Sequence, residues 1–337
     1  MCGKELVSIL IPAYNNPEYT KRTLSSILMQ SYRPIEVILI DDNSPNSLKP
    51  IFDEFSEHKD DLISAKYFRN AKNLNPYFNL KSGFGRISGK YLIIMPHDDW
   101  FVCNYFISKS IDYMERFPNC YLAIGNSIIE TNNSRMFSHD FATDPFELNG
   151  KVYLKKYLFR KLHPAYSAVL MNFKKLTELD YTSVLISEQE ANIYDITPDE
   201  AFLALALLSE NGSVLISNEI VSIRGTPNNS YSKSDEWIKL RASGVFFPHY
   251  HLLTHFLNTR AYGGAISIFK VIVRSSPEKF SQIYKHFKRN GYRFYLVLMC
   301  MNYICNPIFR FINHPFYTLT LLIPIRIRRM IRAAKKL

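Results

Sequence analysis

The sequence predicts an α/β protein: a Rossmann-like, mostly parallel sheet with flanking helices, followed by a mainly helical C-terminal region. Three observations predict it. Short, continuous apolar runs recur along the first 125 positions, as expected of strands covered on both faces. Stretches of helical periodicity separate those runs, the alternation that marks βαβ units. Near the end of the chain the character changes to aromatic-rich segments studded with basic residues.

Leu6 to Ile11 reads as the first strand and Glu18 to Met29 as the helix after it. Ile35 to Ile40 is a second strand, Leu48 to Phe55 a second helix, and Leu62 to Phe68 a third strand. Tyr77 to Ile87 carries helical periodicity and Tyr91 to Met95 is another apolar strand. A helix from Asn104 to Arg116 then leads into Tyr121–Ile124. From Thr131 to Thr197 the pattern weakens; Asn132-Asn133-Ser134 and Asp144-Pro145 mark loops, with helical pieces around Val152–Lys161 and Phe173–Leu179. A helix is expected from Asp199 to Glu210, stopped by Asn211-Gly212. A short strand, Val214 to Ile216, and a polar loop over Gly225–Ser230 follow.

Hydrophobic residues at 47% with 21% charged fit a globular chain and exclude a disordered one. The five cysteines show neither metal-ligand spacing nor a disulfide framework, so reduced thiols are expected. The apolar run that opens the chain is too short for a signal-peptide core. The net charge of +11 is unevenly placed. After Glu278 there are twelve basic residues and no acidic one, which leaves 29 basic against 30 acidic residues, a net charge of −1, for positions 1–278. On a helix, Ile323, Ile327, Ile331 and Ala334 share one face while Arg328, Arg329, Arg332 and Lys336 lie opposite, the pattern of a helix lying in an anionic membrane interface. Uncharged runs there fall short of the roughly 20 residues a span needs. Packing of this region on the body or on a second subunit is the alternative.

Ligands in parallel sheets sit beyond the carboxyl ends of the strands, and polar residues gather there. The first turn, Pro12-Ala13-Tyr14-Asn15-Asn16-Pro17, has no glycine, which excludes the dinucleotide-binding turn; Tyr14 could stack a nucleobase or simply pack. The second strand ends in Asp41-Asp42-Asn43-Ser44, where one acid can cap the turn and Asp42 can accept from a base or ribose. The fourth ends in Pro96-His97-Asp98-Asp99-Trp100. Adjacent carboxylates after a buried strand need a cationic companion, and hard oxygen ligands suit Mg²⁺ or Mn²⁺ bound together with substrate phosphates. Asp99 is expected to hold the metal, with Asp98 or His97 assisting. Asp199 and Glu200 follow Pro198 at a helix start, a position that suits capping and a general base alike. His249-Tyr250-His251 and His255 lack acidic or cysteine companions and read as an aromatic helix rather than a zinc site.

Residues 5–230 resemble family 2 glycosyltransferases with the GT-A fold. Pro12-Ala13-Tyr14-Asn15 and Asp41-Asp42-Asn43-Ser44 match that family's two opening turns, Asn73–Pro76, Asn79 and Ser88–Tyr91 its approach to the metal motif, and His97-Asp98-Asp99 the motif itself. The resemblance implies a donor half (1–125), an acceptor half (126–230) and a helical C-terminal region (231–337) whose basic tail, about 294–337, seeks membrane. It further implies that Pro12, Tyr14, Asn15, Asp42, Asn79 and Asp98 contact a nucleotide-diphosphate sugar. Asp199, with Glu200 as runner-up, would be the base of an inverting transfer, in one displacement, to a hydroxyl of a polyprenyl-diphosphate-linked saccharide. The setting would be O-antigen or capsule synthesis at the cytoplasmic face of the inner membrane, with no nucleic acid involved. Departures are Phe78-Asn79 where the family has Arg-Asn, Val102-Cys103 where it has proline, and Arg224-Gly225-Thr226 where it has Arg-x-His. A nucleotidyltransferase, which would want a Gly-rich phosphate loop, and a nucleic-acid-binding protein using the basic tail are the rival classes.

Overall fold

A computed structural model describes residues 4–131, 134–137, 144–158, 164–179 and 200–225. The expected helix at the histidines 249–255 and the basic C-terminal tail lie outside the described residues.

The first half follows the predicted alternation. Strand β1 (Val7–Ala13), helix α1 (Pro17–Leu28), β2 (Ile35–Asp41), α2 (Lys49–His58), β3 (Ile63–Arg69), α3 (Asn75–Phe84) and β4 (Tyr91–Ile94) form three βαβ crossovers. A proline stands at the first or second position of α1, α2 and α3, where a missing N–H costs nothing and the fixed φ favours entry into the helix. Strands β1, β2 and β3 pair in parallel, as do β1 and β4. Val7, Ile9, Leu10, Ile11, Val37, Ile38 and Ile93 are fully buried, which is why these strands read as unbroken apolar runs.

The second half extends the same sheet. It comprises β5 (Asp99–Phe101), α4 (Phe106–Arg116), β6 (Cys120–Thr131), β7 (Ser134–Phe137), β8 (Phe146–Asn149), α5 (Gly150–Leu158), a 3₁₀ turn (Tyr166–Ala168), β9 (Val169–Asn172), α6 (Phe173–Glu178), α7 (Glu200–Asn211) and β10 (Ser213–Arg224). The sheet order is β3-β2-β1-β4-β9-β6-β10-β5, with β7 beside β6 and β8 beside β10. β9 is antiparallel to both neighbours, and β5 runs antiparallel to the last residues of β10. The sheet is therefore mixed at this side, while β1, β2, β3 and β4 stay parallel. The sequence suggested strands only at 121–124 and 214–216; β6 and β10 are each 12 residues long.

Candidate functional site

The carboxyl ends of β1, β2 and β4 are tied to one another. The Asp42 amide donates to the Ala13 carbonyl at 2.8 Å, and the Met95 amide to that of Leu10 at 2.9 Å. The turns that follow are tightly wound. Among the described residues the non-glycine positions with positive φ are all asparagines, Asn15, Asn16, Asn43 and Asn75. Asparagine tolerates the left-handed region better than most residues, so these corners need no glycine.

The two acids after β2 do different things. Asp41 is completely buried and turned into the protein. Its Oδ1 accepts from the Ser44 amide at 2.8 Å and the Ser44 hydroxyl at 2.5 Å; its Oδ2 accepts from Tyr67 at 2.6 Å and Arg69 at 3.2 Å. Burial works to raise this carboxyl, but those donors outweigh it and hold it below the usual range. The Ser44 hydroxyl also accepts from the Asn15 amide at 2.8 Å, so Asp41 braces the turn that carries Tyr14. Tyr14 itself is 41% exposed, a ring left open beside the strand ends. Oδ1 of Asp42 accepts from Asn70 and from the Leu74 amide, both at 2.8 Å, and the Asn75 amide also donates to this carboxylate. Burial pushes it up, against the pull of these donors.

Asn70, at the end of β3, is a residue that sequence reasoning missed. Its side-chain amide also donates to Asn79 at 2.9 Å, and Asn79 in turn donates to the Ile40 carbonyl at 3.2 Å. Asn79, expected at the donor, is 2% exposed with both ends of its amide engaged by protein. It braces Asn70 and, through it, Asp42.

The turn between β4 and β5 places its acids apart. Asp99 is the first residue of β5, in register with Arg224 of β10, and its side chain is 3% exposed. Its Oδ2 accepts from the Ser167 hydroxyl at 2.7 Å, which lies 2.9 Å from that of Ser222. Burial pushes Asp99 up to about 7, against the pull of the Arg224 charge and Ser167. Asp98 is half-buried, and among the described residues its carboxylate has no hydrogen-bond partner. Its backbone carbonyl accepts from the Gly225 amide at 2.8 Å. Burial holds His97 below the usual imidazole range, against the Asp98 charge and a hydrogen bond to the Pro12 backbone; its Nε2 is buried and has no partner among the described residues. Pro12 thus joins the Tyr14 turn to the acidic turn. Sequence reasoning gave Asp99 the metal, with Asp98 or His97 assisting; of the two acids, Asp98 is the one whose carboxylate has no hydrogen-bond partner among the described residues.

Asp199 lies outside the described residues; Glu200 is the first residue of α7. Among the described residues no three His, Cys, Asp or Glu side chains converge as a metal cage. Mg²⁺ and Mn²⁺ bind through one or two carboxylates plus substrate phosphates, and a single unengaged carboxylate beside a strand end fits that pattern.

The model of the family described as glycosyl transferase family 2 matches residues 8–178, from β1 through α6. The chain belongs to this family. Its sheet is that of the GT-A glycosyltransferases: the structure of Staphylococcus aureus TarS residues 1–349 in complex with UDP-GlcNAc superposes with a TM-score of 0.59 over 83% of this chain and 76% of that one, at 12% identity, a likeness of fold. Among curated relatives, a GalNAc(5)-diNAcBac-PP-undecaprenol beta-1,3-glucosyltransferase of Campylobacter jejuni is 24% identical over 50% of this chain and 52% of its own length. The Escherichia coli UDP-Glc:alpha-D-GlcNAc-diphosphoundecaprenol beta-1,3-glucosyltransferase WfaP is 31% identical over 37% of this chain and 47% of its own. The chain spans about half the length, or less, of the curated relatives it matches.

Proposed function

We propose that this family 2 member is an inverting glycosyltransferase that moves a sugar from a nucleotide diphosphate to a hydroxyl of a polyprenyl-diphosphate-linked saccharide. The observation that carries the reading is the pair of carboxylates Asp42 and Asp98, placed beyond the carboxyl ends of β2 and β4, the two parallel strands that flank β1. Tyr14 stacks the donor's base and Asp42 accepts a hydrogen bond from base or ribose. Pro12 and Asn15 shape that turn. Asp98 faces the diphosphate and, with the Asp99 turn behind it, would hold Mg²⁺ or Mn²⁺. Such an ion supplies Lewis-acid stabilisation of the departing diphosphate. Asp199, or Glu200 beside it, takes the proton of the attacking acceptor hydroxyl. A single displacement inverts the anomeric centre.

Lipid-linked acceptors in the names of the C. jejuni and E. coli relatives support the acceptor class. Among the described residues no helix is long and apolar enough to cross a membrane. The basic segment 294–337 would lie on the anionic cytoplasmic leaflet, where such an acceptor is presented.

The test is transfer from a panel of UDP-, dTDP- and GDP-sugars to a polyprenyl-diphosphate GlcNAc acceptor, with product stereochemistry read by NMR. An α-linked donor giving a β-linked product supports the reading. Retained configuration contradicts the single displacement, and diphosphate release from a nucleoside triphosphate and a sugar phosphate would make the chain a nucleotidyltransferase.

A further inference from the structure

The acidic turn is held from three directions by parts of the chain far apart in sequence. It first closes on itself, the Asp99 amide donating to the Pro96 carbonyl at 2.9 Å. From α1, the Thr23 hydroxyl lies 2.8 Å from the His97 carbonyl and 2.6 Å from that of Asp99. From the end of β10, the Gly225 amide reaches the Asp98 carbonyl. From the 3₁₀ turn ahead of β9, Ser167 donates to the Asp99 carboxylate and is itself met by Ser222 of β10. Each backbone carbonyl from Pro96 to Asp99 thus has a donor within reach, the one Thr23 hydroxyl proton being shared between those of His97 and Asp99. Of the two carboxylates, Asp99 is tied down by Ser167, while that of Asp98 has no hydrogen-bond partner among the described residues.

A carboxylate at 3% exposure is costly to keep unless a donor meets it. Ser167 is the side chain seen to donate to Asp99. That bond also joins the segment leading into β9, in the half of the fold expected to face the acceptor, to the turn expected to face the donor.

We propose that Ser167, acting through Asp99, is a positioning residue for the diphosphate site: the pair locks the 96–99 turn so that Asp98 alone presents its carboxylate to the metal–diphosphate. The statement rests on the reading of the site given above. Three consequences follow from the geometry. Asp99→Asn keeps the shape of the side chain and an oxygen that can accept from Ser167, so the turn survives. Ser167→Thr keeps the hydroxyl. Ser167→Ala removes it and releases the Asp99 carboxylate to swing.

The experiment measures Mn²⁺ binding by EPR in the presence of UDP, alongside kcat, KM and melting temperature, for wild type, Asp98→Asn, Asp99→Asn, Ser167→Ala and Ser167→Thr. Asp98→Asn is expected to lose UDP-dependent Mn²⁺ uptake. Asp99→Asn should keep it within about threefold of wild type. Ser167→Ala should weaken Mn²⁺ binding several-fold and lower kcat about tenfold with KM for the donor little changed, and Ser167→Thr should restore both. Loss of Mn²⁺ uptake in Asp99→Asn, with Asp98→Asn retaining it, overturns the assignment. So does a folded Ser167→Ala whose Mn²⁺ affinity and kcat equal those of wild type. If the wild-type protein takes up no Mn²⁺ with UDP while Asp98→Asn and wild type transfer sugar equally, the metal reading beneath it fails instead.

Discussion

Gly225→Ala is the sharpest single perturbation of the acidic turn. The chain leaves β10 at Gly225 and presses against the peptide of Asp98. A Cβ at position 225 would lie 2.3 Å from the Asp98 carbonyl oxygen and 2.8 and 3.1 Å from two carbons of the Tyr19 ring. Ordinary contact begins near 3.4 Å, so the two backbones must part by about 1 Å. The Tyr19 ring can tilt, but the Asp98 peptide is held by Thr23 on one side and by the Asp99–Ser167 bond on the other. Overpacking of this kind costs about 1–3 kcal/mol, and a 1 Å displacement of a positioning group costs about a hundredfold in rate. The variant should therefore fold, melt a few degrees lower, and turn over about a hundredfold more slowly at saturating donor. Gly85→Ala is the control, since a Cβ there meets nothing within 4 Å. Calorimetry and initial rates on both proteins decide it. A Gly225→Ala protein with turnover within twofold of wild type would refute the clamp and the placing of Asp98 by it.

Other residues separate bracing from binding. Asp41 is held below its unfolded value of 3.8, so it contributes stability above about pH 4 that is lost as pH falls through the lower folded value. Asp41→Asn should reduce stability at pH 7 and flatten the acid limb of a stability-against-pH curve; an unchanged limb would remove Asp41 from that role. Asn70→Ala frees Asp42 from one of its donors and should weaken nucleoside diphosphate binding about tenfold, roughly 1.4 kcal/mol, with equal affinity in calorimetry as the contrary result. At the opposite, amino ends of the strands, Glu36 accepts from Ser8 at 2.6 Å and from the Ser88 amide and hydroxyl at 3.0 and 2.9 Å, with Lys66 also at hand. Glu36→Ala should cost about 2 kcal/mol or more of stability while leaving kcat of the folded fraction unchanged; a fall in kcat at constant folding would show coupling to the site.

The first part of the sheet was legible because β1, β2 and β4 are buried on both faces and α1, α2 and α3 carry a proline at their first or second position. The placing of Asp42 beyond a strand end was legible too, since an acid after a buried strand is conspicuous. Asn70 stands in the same relation to β3 and could have been found by the same rule, but an amide draws less notice than a carboxylate. The burial of Asp99 was not legible, for a physical reason: β5 is three residues long, too short to show alternation, so both acids read as loop residues. Asp99, the first residue of β5, pairs with β10 and is buried, while Asp98 lies just outside the strand. The length of β10 was hidden by its irregular pairing with β6, which shifts register around Ile216–Ser222, and that of β6 by buried Asn126 and Ser127 interrupting the apolar pattern. Ser167 had no local signal at all, because its partner is 68 positions away.

Titration calorimetry of UDP into the protein, with and without Mn²⁺, in wild type and Asp98→Asn, tests the central claim most directly. The account predicts that Mn²⁺ tightens UDP binding to wild type and that Asp98→Asn loses this increment while keeping the metal-independent affinity contributed by Tyr14 and Asp42. Equal enhancement by Mn²⁺ in both proteins, or UDP binding to neither, would contradict it.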